Sequence, residues 1–155
     1  MNQAHIHLII THLPIFGTLL GSIVLIQGVW SKSDSTVIAG YSLFIISAFG
    51  ACIAYITGEG AEESVENLPR ILEETIREHE EFALVALIGL VILGFLSMLG
   101  FYFTYKKSSL LVMIAFSILT VSIFCFGLVG YTGYLGGQIR HSEIGNSAGE
   151  LDSEK

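Results

Sequence analysis

The sequence predicts an all-α integral membrane protein, a four-helix up-down bundle whose third span is extended by an amphipathic helix. Three observations carry that prediction. The 155 residues are 52% hydrophobic with a mean hydropathy of +0.70, too apolar for a soluble domain of this size. The apolar residues fall in four uncharged runs, at about 7–30, 37–57, 82–105 and 110–135. Each run can cross about 30 Å of hydrocarbon at about 1.5 Å per residue. Two of the connections are short polar turns, which make neighbouring helices antiparallel. Residues 1–141 then form a single four-span membrane domain, and 142–155 a polar tail.

The first span opens on Ala4-His5-Ile6-His7-Leu8-Ile9-Ile10-Thr11-His12-Leu13-Pro14. Pro14 cannot donate to residue 10 and clashes with its carbonyl, so the helix kinks there or begins near His12. Gly17 and Gly21, four apart, offer a close-contact patch, and Trp30 suits the far interface. No basic residue precedes the apolar run and no small-residue cleavage site follows it, so the segment is expected to stay in the mature protein. In the linker 31–36, Asp34, Ser35 or Thr36 can cap the second span, and Gly58-Glu59-Gly60 is expected to end it.

Nine of the fourteen acidic residues lie between Glu59 and Glu81. The net charge of −7 is therefore a local feature. From Pro69 onward Ile71, Leu72, Ile76, His79, Phe82 and Ala83 keep helical spacing, which predicts an amphipathic helix over 69–81 with His79 on its apolar stripe. It runs unbroken into the third span. A turn at 105–109 leads to the fourth span, which ends Gly127-Leu128-Val129-Gly130-Tyr131-Thr132-Gly133-Tyr134-Leu135-Gly136-Gly137. That flat glycine row admits a neighbouring helix or a planar ligand. Tyr55-Ile56-Thr57-Gly58 and Tyr131-Thr132-Gly133 end the two hairpins alike, a hint of internal duplication.

Four antiparallel spans place His5, His7, His12, His79 and His141 on one membrane face together with the acidic segment. Lys32, Lys106 and Lys107 lie on the other face, against Arg70, Arg77, Arg140 and Lys155 on the histidine side, so the count of basic residues is nearly balanced. The absence of a basic face speaks against nucleic-acid binding. Cys52 and Cys125 sit mid-span and read as small buried hydrophobes. There is no nucleophile elbow, H-E-x-x-H or P-loop, and no mid-span charge for a transport coupling site.

His7-Leu8-Ile9-Ile10-Thr11-His12-Leu13-Pro14 has the form H-x4-H-x-P, and Gly136-Gly137-Gln138-Ile139-Arg140-His141 has a Gly-Gly pair followed by a basic-His dipeptide. Together, and with His79 before the third span, they resemble the DUF2231 family of small four-span bacterial membrane proteins. The resemblance covers nearly the whole chain, departing where Leu8 stands in place of a frequent proline. It implies the bacterial cytoplasmic membrane, an electron-transfer setting, an outer cytochrome c or Rieske-type partner, and a histidine face that looks outward.

Three functions fit these residues. The preferred one is ligation of b-type haem for electron transfer, with axial imidazoles from His12 and His79, His141 and His7 close behind, and Arg140 or Arg77 pairing the propionates. A non-haem site would use His12, His79 and His141 with Glu80 or Glu143 around zinc, copper or iron. His7 and His12, about 140° apart on an ideal helix, would not both chelate one ion unless Pro14 distorts the turn. The third is a structural or assembly subunit, alone or oligomeric, whose histidines only knit the helix ends. The chain reads as a carrier or subunit more than an enzyme. The acidic segment is first a solvated face, but it can dock a basic partner.

Overall fold

The computed structural model describes residues 3–62 and 73–140, and its elements are all helical. They are α1 (Gln3–Ile10), α2 (His12–Ser31), α3 (Asp34–Glu62), α4 (Glu73–Tyr105) and α5 (Leu111–Arg140). Helices α1 and α2 together make one crossing, and α3, α4 and α5 make one each, so four helical stretches are long and apolar enough to span a membrane. Neighbours in sequence pack together, and α2 closes the ring against α5. This is the up-down bundle expected from the apolar runs.

The break between α1 and α2 falls at Thr11, whose N–H still reaches the His7 carbonyl at 3.0 Å. Pro14, three residues on, has no N–H for the Ile10 carbonyl. The kink tips α1 onto α3. Helix α3 does not stop at Gly58-Glu59-Gly60 but continues to Glu62. Its two glycines admit side chains from α1 instead, His7 at Gly58 and Gln3 at Gly60.

What holds the bundle together is a set of seams built from small residues. On α4 the buried positions include Ala86, Leu90, Leu93, Ser97, Gly100 and Thr104; on α5 they include Ala115, Ile118, Ser122, Cys125 and Val129. The steps alternate between three and four, the spacing of left-handed knobs-into-holes packing. Helix α2 does the same with Pro14, Thr18, Gly21, Leu25 and Gly28. Large apolar side chains such as Phe49, Ile56, Phe95 and Phe124 point outward. Lipid is as apolar as a protein core, so close approach of backbones, not burial of oily surface, drives the association.

Both short turns end their helices the same way. Lys32 and Lys107 take left-handed φ values of 52° and 51°. The N–H of Ser33 reaches Gly28 O and that of Lys32 reaches Val29 O; Ser108 and Lys107 repeat the pattern on Phe103 and Thr104. These are Schellman closures, in which glycine is the usual left-handed residue. A lysine there carries a backbone strain of about 1 kcal/mol. Lys107→Gly should therefore raise the thermal unfolding temperature in mild detergent, and an unchanged or lower value would count against the strain. The α3 cap is Ser33, whose side-chain oxygen accepts from the Thr36 N–H, and not Asp34, Ser35 or Thr36.

Candidate functional site

The histidine end of the bundle is built from two docks of the same design. In the first, the His7 ring on α1 places Nδ1 2.8 Å from the Ala54 carbonyl of α3, and its Cε1 lies over Gly58, 3.8 Å from where a Cβ would be. In the second, His79 on α4 places Nδ1 3.0 Å from the Thr132 carbonyl of α5, and its Cε1 lies over Gly136, 3.1 Å from the corresponding point. In each case the acceptor is four residues before the glycine. A carbonyl in a helix points toward the residue four places on, so a glycine there opens the path to it. Carbonyl oxygens only accept, so both Nδ1 atoms carry a proton.

These two imidazoles are half-buried. Thr57 adds a longer contact of its hydroxyl to His7 Nδ1, 3.4 Å. Phe82 and Tyr131 meet edge to face beside the second dock, with ring centroids 4.6 Å apart.

His12 takes no part in this. It is exposed, donates from Nδ1 to Leu8 O at 2.7 Å and stacks on Phe16. The Thr11 hydroxyl donates to the same carbonyl, so both side chains bond their own chain beside the helix break. His5 is exposed on α1. Arg77 is held on the outer face of α4 by Glu74 at 2.7 Å and Glu81 at 2.9 Å. Arg140 ends α5, and its side chain, His141, the 142–155 tail with Glu143, and Pro69 through Leu72 lie outside the described residues.

The haem b reading, and with it the histidine cluster and electron transfer through this chain, is thereby corrected. Among the described residues no three His, Cys, Asp or Glu side chains come together as a metal site, which also overturns the zinc, copper or iron site. The expected ligand His12 is exposed and bonded to its own chain at Leu8. The glycine row is not one uniform surface. Gly133 packs on Ile15 and Gly136 on His79, while Gly127, Gly130 and Gly137 have nothing within 4 Å. Shallow hollows lie at the other end of the bundle, one of them between α2 and α5 beside Trp30 and Phe116.

The residues that sequence reasoning missed are the acceptors Ala54 and Thr132. Their signal was the matching pair Ala54-x3-Gly58 and Thr132-x3-Gly136. The apparent repeat of Tyr55–Gly58 with Tyr131–Gly133 is three residues out of the register that the docks use.

No known protein family matches the chain. No curated protein matches it, nor does any solved structure. What the four long apolar helices establish is a multi-span membrane protein suited to a lipid bilayer; the family comparison lends the DUF2231 resemblance no support.

Proposed function

We propose that this chain is a non-enzymatic structural or assembly subunit of a bacterial cytoplasmic membrane, with histidines that fasten helix ends and an outward acidic face that receives a basic partner. The observation that carries the reading is the pair of matched docks, in which His7 and His79 spend Nδ1 on backbone carbonyls of neighbouring helices. A second support is charge. Glu59, Glu74, Glu78, Glu80 and Glu81 are exposed at the same end, and Arg77 between them is already paired. The DUF2231-like motifs favour an outer redox protein of the cytochrome c or Rieske type as that partner, and both termini on the outer side.

The test is made on the full chain in mild detergent. Oxidised and reduced absorption spectra with metal analysis should show no haem band and no stoichiometric metal, and a basic cytochrome c should bind at low salt. Because exposed charges are screened beyond about 8 Å at physiological ionic strength, that binding should fall steeply with added salt and on Glu78→Lys with Glu80→Lys. Binding that ignores both changes would remove the acidic docking face. A sharp reduced-minus-oxidised haem band would remove the subunit reading itself.

A further inference from the structure

The middle of the bundle holds a layer of hydroxyls that the helix docks do not use. Ser22 on α2 and Ser122 on α5 meet at 2.8 Å. Gly21 faces Phe44, Gly94 faces Ala48, and Gly100 faces Tyr41 and Ile118. That register brings Ser97, midway between Gly94 and Gly100, level with the Ser22–Ser122 pair. Thr18 and Ser47 lie about one turn toward the histidine end, and Tyr41 and Thr104 lie toward the short turns.

The accounting of donors singles out two positions. Thr18, Ser22, Ser47, Thr104 and Thr132 each donate to the carbonyl four residues back in their own helix. Ser97 does not: its hydroxyl is fully buried and has no partner. Tyr41 is also fully buried; the Thr104 hydroxyl approaches it, yet its Oη closes no hydrogen bond. Leaving a buried hydroxyl unpaired forfeits the hydrogen bonds it makes to water in the unfolded chain, and here two of them share the α3–α4 seam. Ser22 and Ser122 have two protons between them for three contacts, to Thr18 O, to Leu119 O and to each other. At least one lone pair at this level is therefore open.

We infer that the α3–α4 seam at Ser97 and Tyr41 is a binding site for internal water. Water is the ligand that fits. It is small, it can accept from an unpaired hydroxyl and donate to an open lone pair, and one water after another can serve Tyr41 and Ser97 along the seam; a buried water commonly makes two to four such bonds. Charged ligands do not fit, because no ionised side chain lines the layer. Thr104 stands next to Tyr105 at the short turn, so the buried hydroxyls of Thr104, Tyr41 and Ser97 run from that end toward mid-bundle. Toward the histidines the lining turns apolar, with Ala51, Ala86, Leu90 and Val129.

Hydroxyl-radical footprinting with a short X-ray pulse tests this on the full chain in lipid nanodiscs prepared in 18O water. Radicals made from a bound water mark the side chain beside it. Tyr41 should carry the 18O label, although it is as buried as Phe44, which packs on Gly21 one turn along the same helix. Phe44 and Leu90, corrected for their own reactivity, should stay unlabelled. Ser97→Ala, which only deletes an oxygen, should lose the Tyr41 label. A Tyr41 signal no higher than that of Phe44 and Leu90 overturns the water site, and a Tyr41 signal unchanged by Ser97→Ala removes Ser97 from it.

Discussion

Gly28→Leu is expected to abolish the folded bundle, the largest single effect in the chain. A Cβ at Gly28 would stand 2.6 Å from Val37 N and 2.9 Å from Thr36 C. Both are backbone atoms in the first turn of α3, and that turn is pinned from its other side by the Ser33 cap. Nothing flexible is available to move aside. Even Gly28→Ala should cost about 1–3 kcal/mol, the range for overpacking a tight contact. The control lies on another helix. Gly127 and Gly130 have open space where a Cβ would go and face outward. Alanine there should be neutral or stabilising by up to about 1 kcal/mol through helix propensity. Denaturant unfolding in mixed micelles, followed by circular dichroism, reads both. Tolerance of Gly28→Leu would mean that α2 and α3 are not in backbone contact. Loss of folding on Gly130→Leu would mean that another chain covers the outer face of α5.

The contrast between those glycines shows where sequence reasoning stops. Membrane crossings are visible because twenty apolar residues in a row have few other uses. The kink is visible because Pro14 lacks an N–H, and the helical phase of His79 because charge surrounds it on α4. The inner face of a span is not visible in the same way, since hydrophobic residues serve lipid and core alike. Gly127, Gly130, Gly133 and Gly136 look equivalent as a row. Three-residue steps drift around a helix of 3.6 residues per turn, so the first two face lipid and the last two face Ile15 and His79. The same ambiguity misled the ligand assignment. Topology correctly puts His7, His12 and His79 at one end, but it does not say which way each ring turns. His12 is exposed and bonds the Leu8 carbonyl of its own chain beside the helix break, a local contact that no long-range pattern reveals. Ser22, Ser97 and Ser122 were passed over because a serine in an apolar run reads as tolerated, not as placed. Their buried level appears only once the four helices are in register.

The two docks make a prediction that separates a fastening role from a ligand role. His79→Ala leaves the Thr132 carbonyl without its imidazole partner and removes one of the contacts that tie α4 to α5 at this end; His7→Ala does the same for α1 and α3. Each should cost about 1–3 kcal/mol, as for loss of a partly buried hydrogen bond with its packing. The effects should also be local. Hydrogen exchange should quicken in residues 54–62 for His7→Ala and in residues 132–140 for His79→Ala, with the other dock unchanged in each case. The glycines sharpen the test because the docks differ in tightness. A Cβ at Gly136 would lie 3.1 Å from the His79 ring, whereas one at Gly58 would lie 3.8 Å from His7, an ordinary contact. Gly136→Ala should therefore loosen its dock much as His79→Ala does, and Gly58→Ala should pass almost unnoticed. The glycine changes leave every histidine in place, so a ligand role predicts no such asymmetry. If Gly136→Ala and Gly58→Ala behave alike, the imidazoles are not seated on the helices as described, and the fastening role for these histidines falls with that geometry.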